Sequence, residues 1–133
     1  MPWWNHTPIN YRQGPTVKKP TPRESVIQRN ILAMLKDLGI PAWRINSRVV
    51  DLPTARGPVP YRMGGVKGMS DILACLPGEP GRFMALEVKR PGGKLTPEQD
   101  EFLRRIIRAG GIGACVTSCH EVSELLARHG WAR

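Results

Sequence analysis

Acidic residues are scarce in this chain. Eleven Asp and Glu stand against twenty Lys and Arg over 133 residues, for a formal charge of +9 and a pI near 10.2. Such an imbalance fits a polyanionic partner, and nucleic acid is expected. Cysteine is sparse as well: Cys75, Cys115 and Cys119 cannot all pair within one chain, and a single-core domain of this size needs no covalent staples. A reducing, cytoplasmic setting is therefore expected. Long apolar runs are missing. Nothing nears the roughly 18 unbroken apolar residues of a membrane span, and the start MPWWNHTPINYRQ has no apolar stretch behind a basic one. A soluble protein without a membrane partner is expected. The chain is also too short for two cores, while 41% hydrophobic residues plus 14 glycines reach the globular average and exclude wholesale disorder.

Several chemical signatures are lacking too. No Gly-x-x-x-x-Gly-Lys-Ser/Thr occurs, so a nucleotide-binding P-loop has no support. His6, His120 and His129 lie near no Gly-x-Ser-x-Gly, which removes acyl-transfer hydrolysis. Cys115, Cys119 and His120 hint at zinc, but Cys115 falls in a probable strand and no second ligand pair has fitting spacing; packed thiols explain them better.

The positive charge is uneven. Residues 1 to 23 hold Arg12, Lys18, Lys19 and Arg23 with no acid, and residues 44 to 67 hold Arg44, Arg48, Arg56, Arg62 and Lys67 against Asp51 alone, so the two segments supply eight of the nine net charges. The first has five prolines, Trp3 and Trp4 and no apolar period. Residues 1–20 thus read as a basic, extended N-terminal arm, either a loose tail or one that stacks indoles on bases, ahead of a single domain over residues 21–133. The second segment carries Pro53, Pro58, Pro60 and several glycines. Because each proline removes a backbone donor and fixes φ, it is expected to be a long basic loop leading into Asp71, with its cations and Lys94 on the path of DNA.

Three helix starts share one device. Thr21-Pro22-Arg23-Glu24, Thr96-Pro97-Glu98-Gln99 and Ser118-Cys119-His120-Glu121 each place a hydroxyl at the N-cap and Glu or Gln three residues on. The first helix then repeats Ile27, Ile31, Met34, Leu35 and Leu38 at a 3.6-residue period up to Gly39; the second is expected to bury Phe102, Leu103, Ile106 and Ile107, and the third Val122, Leu125 and Leu126. Short runs over residues 42–48, 71–76, 82–89 and 112–117 read as strands. The turn Pro77-Gly78-Glu79-Pro80-Gly81 makes the second and third an antiparallel hairpin, and the last follows a helix as in a parallel crossover. The expected fold is α/β, in the order α-β-β-β-α-β-α around one mixed four-stranded sheet.

On the third of these strands Glu87 and Lys89 share a face. An ion pair on an exposed strand would explain a bare Glu-x-Lys equally well. The context changes the balance, because Asp71 opens the partner strand and two carboxylates with one lysine converge at one end of the sheet. Two close carboxylates repel unless a cation lies between them, and Mg²⁺ or Mn²⁺ on Asp71 and Glu87 would leave room for water and a substrate phosphate. Lys89 would hold or deprotonate the attacking water. Glu24 and Gln99 lie on the buried faces of their helices, which points to the site, although capping-box duty alone accounts for both; the two duties are expected to compete.

At this point GVKGMSDILAC, ALEVKRPGGKLTPEQDEFLRRIIRAGGIGACVTS and the helix ESVIQRNILAMLKDLGI together resemble the virus-type replication-repair nuclease (VRR-NUC) domain of the PD-(D/E)xK superfamily over about residues 22–128. The resemblance implies a restriction-endonuclease-like core and a metal-dependent DNA endonuclease. Asp71, Glu87 and Lys89 would be its core motif, Gln99 the associated helix residue and Glu24 the first-helix acid, a third candidate for the metal. Ser70 stands where the superfamily's name has proline. Stand-alone members, typically of phages and prophages, resemble homodimeric Holliday-junction resolvases, while fused forms are structure-specific repair nucleases. The resemblance therefore implies four-way junctions as DNA partner, a second copy of the chain and a bacterial host cytoplasm, with a flap or nicking nuclease or a non-catalytic DNA-binding protein as alternatives.

Overall fold

The computed structural model describes residues 21–45, 48–63 and 65–131; the arm over residues 1–20 lies outside them. The element order is α1 (Glu24–Asp37), β1 (Ala42–Arg44), β2 (Arg48–Leu52), β3 (Val59–Met63), β4 (Ile72–Leu76), β5 (Arg82–Val88), α2 (Pro97–Arg108), β6 (Ile112–Val116) and α3 (Cys119–Arg128). Four strands make one mixed sheet in the order β1-β4-β5-β6, and β2 and β3 form a separate two-stranded sheet. With that ribbon set aside, the expected α-β-β-β-α-β-α order holds, consistent with a restriction-endonuclease-like fold.

β4 pairs antiparallel with β1 and β5, whereas β5 and β6 run parallel across the α2 crossover. Alternation sends Ile72, Ala74, Leu76, Met84, Leu86, Val88, Ile112 and Val116 to one face, where they are buried with Ile27, Ile31 and Leu35 of α1 and Val122, Leu125 and Leu126 of α3. The other face of β5 and β6 is covered by α2. Glycine permits that approach: a Cβ on Gly113 would lie 2.9 Å from the Leu103 carbonyl oxygen. As the central strand, β5 is thus covered on both faces, and Glu87 becomes a buried acid.

Several expectations need correction. The long basic loop is largely a β-hairpin, with Val50 opposite Tyr61 and Leu52 opposite Val59. Its prolines are tolerated because Pro53 and Pro58 flank the turn and Pro60 lies in a ribbon whose outer edges carry no further strand, so the lost donor costs little. The expected strand 42–48 stops at Arg44, and Arg48 begins β2. Thr21 does not cap α1: the N-cap is Arg23, without a side-chain bond. Ile107 is 53% exposed, so α2 buries a narrower stripe centred on Leu103. At α3, Ser118 accepts from the Glu121 amide, but the Glu121 carboxylate turns to the amide and hydroxyl of Thr117 instead of closing a box.

Candidate active site

Asp71 immediately precedes β4, and the register of β4 on β5 places it beside Glu87. The Asp71 Oδ2 atom accepts a 2.8 Å hydrogen bond from the Val88 amide, and its carbonyl accepts one of 2.7 Å from the Ile45 amide. Both bonds lock the start of β4 against its neighbours.

The loop before it depends on Gly68. This residue has φ +85°, and a Cβ there would sit 2.4 Å from the Glu98 carbonyl oxygen in the first turn of α2. Only glycine combines that backbone with that approach. Lys67 spans the same contact through a 3.0 Å ion pair with Glu98.

Glu87 is 2% exposed. Its Oε1 accepts a 2.8 Å hydrogen bond from Gln99 Nε2 and lies 3.5 Å from Lys89 Nζ, while its Oε2 is buried without a hydrogen-bond partner. Burial raises the Glu87 carboxyl most, and the charge of Asp71 raises it further, against the opposing pull of Lys89; its pKa is pushed up to about 8.

Gln99 performs two duties at once, contrary to expectation. Its Oε1 accepts from the Thr96 amide at 2.9 Å, the Thr96 hydroxyl accepts from the Gln99 amide at 3.2 Å, and Nε2 remains to hold Glu87. One end of the amide closes the capping box and the other reaches the site, so the duties do not compete. Gln99→Glu keeps the cap acceptor but replaces the donor facing Glu87 with a second acid. Its cleavage rate should fall at least about tenfold, the cost of a lost charge-assisted bond. Gln99→Ala should also lose about 1 kcal/mol of helix stability. Thermal melts beside cleavage rates separate the two effects.

A cleft of about 260 Å³ opens here, lined among others by Ile45, Arg62, Lys67, Asp71 and Gln99. Two expected DNA-binding cations, Arg62 and Lys67, therefore flank the acids. Arg56 is exposed in the hairpin turn, Lys94 is exposed between β5 and α2, and Arg44 lies on the edge strand β1. Arg48 is fixed by register opposite Met63. Glu24 is half-buried in the first turn of α1 and does not join the pair: among the described residues no three acids, histidines or cysteines gather at metal-binding range.

The sequence reading missed the hairpin and the closeness of Gly68 to α2. The hairpin had a signal in Val59, Tyr61 and Met63, which alternate with Pro60 and Arg62. The Gly68 contact had none, because it depends on a helix 30 residues further along the chain.

A mixed α/β sheet bearing an acid ahead of one strand and a Glu-x-Lys on the next is the arrangement that the resemblance to a nuclease core implies. Residues 61–120, a little under half of the chain, match the model of the VRR-NUC domain, so this segment is similar to a nuclease family. The matched segment holds Asp71, Glu87, Lys89 and Gln99 but begins after α1, leaving Glu24 outside it. Neither the curated proteins nor the solved structures contain a match. Among the described residues no helix is long and apolar enough to cross a membrane.

Proposed function

We propose that the chain is a divalent-metal-dependent DNA endonuclease that acts as a homodimer on branched DNA of the four-way-junction type. The observation that carries the catalytic part is the buried Glu87 carboxylate, set against Asp71 and Lys89, with one oxygen left unpartnered. A binding module has no use for two repelling acids between phosphate-seeking cations.

The donor set fits a hard cation. It is all oxygen, it supplies two carboxylates, and the orphaned Glu87 Oε2 is an acceptor that only a proton or a cation would satisfy. Asp71 and Glu87 would hold Mg²⁺ or Mn²⁺, which when bound would neutralise the pair and the charge growing on the phosphoryl oxygens. Lys89, with its side chain 14% exposed, would hold the attacking water or, once its own ammonium has lost a proton, deprotonate it. Gln99 would orient Glu87, while Glu24, set apart from the pair, would act through water alone. Arg62 and Lys67 would grip the phosphates on either side of the scissile bond, with Arg44, Arg48, Arg56 and Lys94 extending the track.

The junction reading rests on the family resemblance and on symmetry, since two matched cuts need two sites and each chain has one. Four-way junction, flap, single-strand and linear duplex DNA of one sequence, incubated with Mg²⁺, should be cut in favour of the junction. Preference for the flap would replace the resolvase with a repair nuclease, and binding without cleavage would leave a DNA-binding protein. Arg56→Ala, Arg62→Ala and Lys67→Ala combined should weaken binding to all sequences and reduce the slope of log affinity against log salt by up to about 3. An unchanged slope would place the DNA elsewhere.

A further inference from the structure

The edge strand β1 ends beside the acids and carries an open indole. Trp43 is 58% exposed, although an aromatic ring of this size is among the largest apolar areas a chain can bury. Its register places it. β1 sets Ala42 opposite Ala74, Trp43 opposite Leu73 and Arg44 opposite Ile72, and the ladder continues one step to the 2.7 Å bond from the Ile45 amide to the Asp71 carbonyl. Ala42 packs on the core with Ala74, so alternation turns Trp43 and Ile45 to the other face of the sheet, that of Asp71, Leu73 and Glu87. Ile45 and Asp71 both line the acid cleft. Trp43 stands one row further along the same face, with its Cα roughly 8 Å from that of Asp71 by strand geometry. α2 packs over β5 and β6, two strands away from this edge.

The surroundings select what covers the ring. Trp43 and Arg44 border a hollow of about 700 Å³ between β1 and α1 that Lys36 also lines, and no acid lines it. Asp37, the acid next to Lys36 at the end of α1, lies outside that lining. Lys36 and Arg44 are both exposed. An apolar helix or sheet laid here would bury two charges, whereas a nucleic-acid strand brings a π-face for the ring and phosphates for the cations. Continuity with the cleft fixes which nucleotide is meant: a strand whose phosphate lies at Asp71 and Glu87 carries a neighbouring base along the sheet to Trp43. Bases inside a continuous duplex are stacked on one another and offer no free face. We infer that Trp43 is a stacking platform for an unpaired nucleobase next to the scissile phosphate, and that it selects DNA whose bases are open at the point of cleavage.

This rests on the nuclease reading above and deepens it, by naming the residue that tells branched or frayed DNA from plain duplex. Every base has a π-face, so the preference is for an open base and not for a particular one. Removing the ring should cost about fivefold or more in affinity for such DNA. Because the ring is exposed, Trp43→Ala should keep the circular dichroism spectrum and melting temperature of the wild-type chain.

Fluorescence anisotropy in EDTA tests it on labelled DNAs of one sequence: a continuous duplex, the duplex with one unpaired thymidine, and that duplex with an abasic residue in the unpaired position. The wild-type chain should bind the unpaired thymidine at least about fivefold more tightly than the abasic residue. Trp43→Ala should lose that difference while its affinity for the continuous duplex stays within about twofold, and Trp43→Phe, which keeps a ring, should retain part of it. A wild-type chain that does not distinguish thymidine from the abasic residue overturns the inference. So does an undiminished preference in Trp43→Ala, or an equal weakening on all the DNAs, which would make the ring a general contact. Sedimentation velocity on the same samples covers the other occupant: a wild-type dimer that Trp43→Ala disperses would make this face an interface between copies and overturn the inference as well. Cleavage of the duplex with the unpaired thymidine in Mg²⁺ is scored separately. A chain that shows the Trp43-dependent preference without cutting keeps the platform and loses only the nuclease reading.

Discussion

Asp71→Asn and Glu87→Gln should each lower the rate of DNA cleavage by at least about 10³-fold, the scale on which removing a preorganised charge at a phosphoryl centre acts. DNA affinity should hold or rise, because a negative charge facing phosphate is lost. Glu87→Gln should also stabilise the metal-free protein, and the sign follows from its raised pKa. The folded state prefers the protonated carboxyl, so that contribution is fully present below the ordinary value of 4.5 and is lost as pH rises toward about 8. The metal-free wild-type chain should therefore melt at progressively lower temperature between these limits, at up to about 1.4 kcal/mol per pH unit, and Glu87→Gln should flatten that slope. A Glu87→Gln protein that cleaves normally would remove this acid from the site, and an unchanged pH slope would remove the account of its burial.

Gly68→Val should have the second largest effect. It forces a β-branched residue to φ +85° and drives its Cβ into the Glu98 backbone at 2.4 Å, where neither the helix turn nor the strand-leading loop can yield cheaply. A loss of about 2 kcal/mol or more is expected. Because Asp71 lies three residues on, cleavage should fall further than stability does. Gly39→Ala is the control, since it has φ +75° but nothing within 4 Å of its Cβ: it should cost stability alone. Denaturant midpoints and cleavage rates on both variants separate backbone strain from displacement of Asp71.

The parts of this molecule that could be read from its sequence are those governed by local rules. The box at Thr96 and Gln99, the period of α1, the alternation that puts Glu87 and Lys89 on one face, and the turn joining β4 to β5 each depend on residues a few positions apart. The ribbon could not be read in the same way, because proline content argues against strands only where a strand must pair on both edges, and an isolated ribbon need not. Thr21 and Arg23 illustrate the same limit: the hydroxyl and the acid had the spacing of a box, but the chain enters α1 two residues later. Gln99 appeared overcommitted only while its amide was treated as a single group. The meeting of Gly68 with Glu98, and the distance of Glu24 from the acid pair, are set by how α1 and α2 pack on opposite faces of the sheet, which no local pattern records.

The central claim, that Asp71 and Glu87 form a metal-dependent phosphodiesterase site, is tested most directly by cleavage of a labelled four-way junction with the purified chain in EDTA and then in excess Mg²⁺ or Mn²⁺. Cleavage should be absent in chelator, return with either cation, and stay absent with both when Glu87→Gln is used. Full activity in EDTA, or a Glu87→Gln variant that the cations restore, would contradict it.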